Sequence, residues 1–211
     1  MSIDSVPIRI LCVDDHPLLR AGVVALIETQ PDMTMVGEAT SGREAIEIFR
    51  TIRPNVTLMD LQMPDMSGID AIIAIRGEFP DARIIVLTTY GGDVLAHRAL
   101  KAGARAYILK NLLHQDLLDT IRAVHAGRKW MSPEIAADVA DHSMDDVLTT
   151  AEVEVLRLIS QGCGNKEIAA RLSATEHSVK SRVKSILAKL EANDRTHAAM
   201  IGLKRGIIEL Q

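Results

Sequence analysis

Five short apolar runs, each followed by a stretch of helical spacing, constrain the first 126 residues of this 211-residue chain more than any other feature. The runs cover residues 9–13, 35–36, 56–59, 83–87 and 106–109, and each is short and nearly continuously hydrophobic. A strand reads this way when helices cover both faces of a parallel sheet. Between the runs, residues 17–29, 42–52, 68–78, 93–102 and 113–126 repeat their apolar positions at helical intervals, with Pro17 suited to a first helical position. Five such strand-helix units predict a doubly wound α/β domain over residues 1–127.

The remainder reads differently. Gly127 ends the last helix of the series, and residues 128–147 contain Ser132-Pro133 and an acidic stretch from Asp141 to Asp146. This part is expected to be a linker with a short helix over 133–141. From Leu148 onward no strand pattern occurs, and four helices fit residues 150–161, 166–172, 176–190 and 196–205, with Gly162 and Gly164 as breakers. Residues 148–211 are therefore expected to form an all-α second domain.

Charge divides along the same line. Residues 1–128 hold 13 Lys and Arg against 16 Asp and Glu, residues 129–147 hold 1 against 5, and residues 148–211 hold 10 against 7. Only the C-terminal part is basic, so a polyanionic partner is expected there. Five aromatic residues (Phe49, Phe79, Tyr90, Tyr107, Trp130) give no stacking platform for single-stranded nucleic acid. Cys12 and Cys163 lie far apart without ligand-like spacing, which predicts two buried small hydrophobes rather than a disulfide or a zinc site. Residues 1–7 show no signal-peptide pattern and no run of some 18 apolar residues occurs, so a soluble, cytoplasmic protein without a membrane partner is expected.

In an open parallel sheet, ligands bind beyond the carboxyl ends of the strands. Here the first strand stops at Asp14-Asp15, the third at Asp60, the fourth at Thr88-Thr89 and the fifth at Lys110. Carboxylates gathered at one edge repel each other and call for a cation, and a hard divalent ion such as Mg²⁺ suits one or two carboxylates plus a phosphate oxygen. Lys110 offers a point charge for a phosphoryl oxygen, and Thr88 offers a hydroxyl donor. Together they describe a phosphoryl-transfer site with a carboxylate nucleophile.

These residues, with Met63-Pro64 and Gly68 after Asp60 and Gly103-Ala104 before the fifth strand, resemble the receiver domain of bacterial two-component response regulators over residues 7–126. The resemblance implies a flavodoxin-like (βα)5 sheet of strand order 2-1-3-4-5. It implies that Asp60 is the phosphoacceptor of a sensor histidine kinase. Asp15 would ligate Mg²⁺ directly and Asp14 through water, with Asp60 and the backbone carbonyl of Gln62 completing the set. Asp60, Thr88 and Lys110 would carry the receiver's own phosphorylation and dephosphorylation, and the chain would catalyse nothing else. Thr88 and Tyr107 would be the switch, Tyr107 following inward as Thr88 moves to the phosphoryl group. Gln62 and Tyr90, two residues from the acceptor and from Thr88, stand where the family tunes phosphoryl lifetime.

In the C-terminal part, Asn165 to Leu172, Ser173 to Thr175 and the helix from Glu176 have the proportions of a helix-turn-helix, with Thr175 able to cap the second helix. Val179, Val183, Ile186, Leu187 and Leu190 form its inner face, while Lys180, Ser181, Arg182, Lys184, Ser185 and Lys189 fall elsewhere. The four cations among them give that surface a phosphate-seeking character. Leu148-Thr149, Glu152, Val155-Leu156, Gly162, Asn165 to Ala169, Thr175, Val179-Lys180 and Arg195-Thr196 resemble the LuxR-type helix-turn-helix of the NarL/FixJ subfamily. The resemblance implies a recognition helix over 176–190 in the major groove. Lys180, Ser181 and Lys184 would meet base edges or nearby phosphates, with Arg182 a weaker contact; Asn165 and Lys166 would touch backbone phosphates, and residues 196–205 would make a dimer contact. Ala151, Val153 and Cys163-Gly164 depart from the family pattern at the start of the domain.

The expected function is a DNA-binding response regulator, in which phosphorylation of Asp60 controls homodimerisation and binding to double-stranded promoter DNA, with RNA polymerase a further partner. The alternative is a phosphorylation-independent DNA-binding regulator whose receiver serves as a protein-interaction module. An aspartyl-phosphate phosphohydrolase would want a second Asp where Gln62 stands, and a flavodoxin-like cofactor binder would want a hydroxyl- and Gly-rich loop where Asp15-His16-Pro17 stands.

Overall fold

The computed structural model describes residues 6–89, 92–131 and 148–208, with the backbone alone for residues 93, 114 and 115. The short helix expected over 133–141 and Tyr90 lie outside the described residues. The chain divides into two compact units.

Residues 8–131 run β1 (Ile8–Val13), α1 (Pro17–Glu28), β2 (Met33–Ala39), α2 (Gly42–Ile52), β3 (Val56–Asp60), α3 (Gly68–Glu78), β4 (Ile84–Thr88), α4 (Asp93–Ala102), β5 (Ala106–Leu109), α5 (Leu113–His125) and β6 (Trp130–Met131). The strands form one parallel sheet of order β2-β1-β3-β4-β5-β6. Ile10, Cys12, Leu58, Ile85, Leu87 and Ile108 face the side covered by Val23 and Ile27 of α1 and Leu117, Ile121 and Val124 of α5. Because side chains alternate along a strand, Leu11, Val13, Met59 and Val86 project from the opposite face. α2 and α3, which pack together, bury Ala45, Phe49, Ile72 and Ile75. A fully buried Ile or Leu contributes about 1.5–3 kcal/mol, so these near-continuous apolar strands carry the stability of the sheet.

Two strands depart from the sequence expectation. β2 spans seven residues although the apolar pattern marks only 35–36, because it is an edge strand with polar Thr34 and Glu38 and a bulge at Val36, which blurs the apolar run. β6 was not expected at all. Trp130 and Met131, inside the stretch read as linker, pair with Ala106 and Tyr107, and the Trp130 N–H donates to the Arg105 carbonyl at 3.0 Å. The pairing covers the free edge of β5, and the Trp130 ring packs against the α1/α5 side of the core.

The second unit holds α6 (Thr150–Ser160), α7 (Asn165–Arg171), α8 (Glu176–Lys189) and α9 (Arg195–Lys204). Thr175 caps α8 by accepting the Ser178 N–H at 3.1 Å, and Asp194 caps α9 through the His197 N–H at 2.8 Å. Gly162, at φ +83°, takes the left-handed conformation that ends α6. Val155, Leu156, Ile168, Val179, Ile186 and Ala198 form the fully buried core, with Val183 and Leu187 packed against it. Both cysteines are free and buried. No helix among the described residues is long and apolar enough to cross a membrane.

One glycine fixes how closely α3 approaches the end of β3. The Gly68 N–H donates to the Leu61 carbonyl at 3.0 Å, and a Cβ on Gly68 would come within 2.0 Å of the Asp60 carbonyl oxygen. Gly68→Ala should therefore cost about 1–3 kcal/mol by overpacking, read as a lower thermal midpoint of the first unit.

Candidate functional site

The carboxyl ends of β1, β3, β4 and β5 bring Asp14, Asp60, Thr88 and Lys110 to one edge of the sheet. Asp14 and Asp60 are 0% and 1% exposed, yet both are charged residues. The Lys110 ammonium lies 2.8 Å from Asp14 Oδ2 and 2.7 Å from Asp60 Oδ2, bridging the two. Asp60 Oδ1 accepts the Gln62 N–H at 3.2 Å. Burial raises the Asp60 carboxyl above its ordinary range, with Lys110 opposing and Asp14 adding to the rise. Burial works against the Lys110 charge, but hydrogen bonds and the fields of Asp14 and Asp60 outweigh it and hold the ammonium above its ordinary value.

Asp15 and His16 extend the cluster toward solvent. The His16 N–H donates to Asp14 Oδ1 at 2.8 Å, and its ring Nδ1 lies 2.8 Å from Asp15 Oδ1. Ligand atoms of Asp14, Asp15, His16 and Asp60 all fall within 4.8 Å of one another, a spacing at which these acids could hold a metal ion. The fit has independent support: Asp14 Oδ2 and Asp15 Oδ1 are buried and, although each is 2.8 Å from a nitrogen, neither is in hydrogen-bonding geometry. Oxygen-rich, with lone pairs left over, the edge suits a hard cation.

Thr88 and Tyr107 are both fully buried, and their hydroxyls are hydrogen-bonded to each other. Tyr107 thus already occupies the interior in this structure. Burial pushes its phenol well above the ordinary value. Cys12, beside the site, is driven up to about 12 by burial and then by the Asp14 charge, which leaves it an inert thiol.

Sequence reasoning missed His16 and Arg20. The Arg20 guanidinium donates to the Asp14 carbonyl at 2.7 Å and to Glu38 Oε2 at 2.9 Å, tying the end of β1 to β2.

On α8, Lys180, Ser181 and Lys184 form one exposed stripe, and His177, also unnoticed in the sequence, lies on it one turn earlier. Arg182 is half-buried and set to one side. Lys180 pairs with Glu176 at 3.1 Å. Lys166 is exposed at the start of α7, whereas Asn165 is half-buried with its Oδ1 unpartnered. Ser185 and Lys189 do not belong to the outward cationic surface expected from the sequence. They turn to Glu152 of α6, with Ser185 Oγ donating at 2.7 Å and Lys189 Nζ at 2.8 Å. A buried carboxylate outcompetes solvent for them because unpaired it would be costly.

A model of the response regulator receiver domain matches residues 10–122, and one of bacterial regulatory proteins of the luxR family matches residues 146–201. The chain belongs to the response regulators that join a receiver to a LuxR-type DNA-binding domain, of NarL/FixJ type. Response regulator protein VraR of Staphylococcus aureus is 36% identical over 207 residues, covering 96% of this chain and 99% of that protein. A LuxR-family two-component response regulator from Aurantimonas is 39% identical with a TM-score of 0.62, over 65% of this chain and 97% of that one. RcsB from Salmonella enterica serovar Typhimurium, bound to a promoter in the presence of a phosphomimetic, is 27% identical with a TM-score of 0.71, covering 92% of this chain and 97% of that one.

Two outcomes follow. Lys110→Met leaves two buried carboxylates without their shared cation and should cost about 3–5 kcal/mol at neutral pH; part should return on adding a divalent cation, seen as a rise in thermal midpoint. For Glu152, burial raises its pKa, but Lys189, Ser185 and Thr149 together hold it down at about 2, against 4.5 for the free side chain. Its folded value being depressed, its contribution is complete above about 4.5 and is lost as pH falls toward 2. An acid titration of the second unit's helicity should show this loss, and Glu152→Gln should flatten it.

Proposed function

We propose that this response regulator accepts a phosphoryl group on Asp60 from a sensor histidine kinase and that the modification controls binding of its C-terminal unit to double-stranded promoter DNA. The observation that carries the reading is Asp60 buried at the sheet edge with Lys110 at 2.7 Å and the neighbouring acids Asp14 and Asp15. A bare carboxylate in so dry a place makes sense as a nucleophile whose charge is counterbalanced. In this reading residues 1–127, with the β6 pair Trp130–Met131 added, form the receiver, the rest of 128–147 the linker and 148–211 the DNA-binding domain.

Asp15, Asp14 through water, Asp60 and the Gln62 carbonyl would hold Mg²⁺, which when bound supplies positive charge opposite the phosphoryl oxygens. Asp60 attacks phosphorus with one carboxylate oxygen, the bond from phosphorus to the kinase imidazole breaks, and the electron pair leaves with that ring. Lys110 stays protonated and shifts from Asp60 toward a phosphoryl oxygen. Thr88 gives up its bond to Tyr107 and donates to another, so that the tyrosine's new partner defines the active receiver. The chain's chemistry is confined to gaining and losing this group.

The second unit reads DNA through α8, with Lys180, Ser181 and Lys184 in the major groove, Arg182 at its flank, and Asn165 and Lys166 at the phosphate backbone. His177 joins the same stripe. α9, where Met200 is 62% exposed, supplies the contact of a phosphorylation-dependent homodimer, whose two-fold symmetry suits inverted half-sites about one helical turn apart. RNA polymerase is the downstream partner, and the cytoplasm is where all these partners meet.

Asp60→Asn should take up no label from acetyl phosphate with Mg²⁺ and should leave DNA affinity unresponsive to it, measured by phosphate labelling and gel shift. Full labelling of the variant would refute the acceptor assignment. Lys184→Ala should lower the slope of log affinity against log salt by about 1 in magnitude.

A further inference from the structure

The buried carboxylate of Glu152 does more than end a helix. It is 6% exposed, accepts the Thr149 N–H at 2.7 Å and the Thr149 hydroxyl at 2.9 Å, and in return the Glu152 N–H donates to Thr149 Oγ1 at 3.3 Å. That reciprocal box fixes the start of α6. The same carboxylate then receives Ser185 Oγ on Oε1 at 2.7 Å and Lys189 Nζ on Oε2 at 2.8 Å, both from α8. Ser185 and Lys189 stand four residues apart on one flank of α8, between the buried Val179/Ile186 side and the exposed Lys180/Ser181/Lys184 stripe.

Apolar burial through Val179 and Ile186 sets how deep α8 sits, but the hydrophobic effect is non-directional and fixes the roll about the helix axis less sharply than hydrogen bonds do. On a helix whose side chains reach about 5 Å from the axis, a roll of about 20° moves their tips by about 2 Å, enough to take a donor out of hydrogen-bonding range. From this we infer that Glu152 is a positioning residue for DNA reading: through Ser185 and Lys189 it fixes the roll of α8 and so aims Lys180, Ser181 and Lys184. The inference rests on the DNA-binding reading above.

The test uses the full chain, a duplex selected by the wild-type protein from a random pool, and a scrambled duplex of equal length at the same salt. Glu152→Ala, and separately the double variant Ser185→Ala with Lys189→Met, which leaves the Thr149–Glu152 box intact, should lower the ratio of selected to scrambled affinity about tenfold, the worth of one base contact. The ratio cancels the charge change in the double variant. Ile159→Val, which thins the same core without touching the network, should lower the thermal midpoint and leave the ratio unchanged. If Glu152→Ala does not fold, the double variant decides. Folded variants with an unchanged ratio would overturn the positioning role, as would an equal fall in Ile159→Val. Failure of the wild-type chain to bind any duplex, phosphorylated or not, would instead sink the DNA-binding reading.

Discussion

The first unit turns on a single ammonium placed between two carboxylates that water cannot reach. Parallel strands end together, and helix-covered strands are apolar up to their last residue, so whatever follows sits at the mouth of a dry sheet. Asp14 and Asp60 occupy that mouth, and Lys110, one residue past β5, is held within 2.8 Å of both. Desolvation and attraction are both large there and nearly offset each other. The raised carboxyl of Asp60 and the raised ammonium of Lys110 are two faces of that near-balance. A group that adds or removes one negative charge at this point therefore shifts the whole arrangement, whereas on the surface it would be screened.

The second unit solves the opposite problem with the same means. Glu152 is also a buried carboxylate, but it is saturated by hydrogen bonds rather than left with lone pairs to spare, and its proton is held off down to about 2. The sheet edge keeps its balance incomplete; the helical unit closes it. The contrast separates Asp60 and Asp14 from Glu152 although all three are buried acids.

Much of this was legible in the residue order. Apolar runs bounded by Asp14, Asp60, Thr88 and Lys110 located the strand ends because burial on both faces leaves no room for polar interruption until the strand stops. Helix limits were good to a residue or two, since Pro17, Thr175 and Gly162 act locally. What escaped depended on distant partners. β6 has two residues, too few for any period, and exists only because the edge of β5 is there to pair with. β2 hid behind its bulge and its polar edge. Ser185 and Lys189 looked like solvent-facing residues because the helical repeat gives angle but not what stands opposite, and the carboxylate that claims them lies 33 and 37 residues earlier. His16 and Arg20 were overlooked for a related reason: their roles are bonds to the backbone and side chain of Asp14, which no motif encodes.

The strand added by Trp130 gives the molecule a built-in lamp. It is the chain's one tryptophan, and its indole leans on the α1/α5 side of the sheet while its backbone is laced to β5. Indole emission will come from the α/β unit alone, with the helical unit dark. Spectral shifts then belong to one half of the chain, so events at the sheet can be timed without labels, even while the other half is engaged elsewhere.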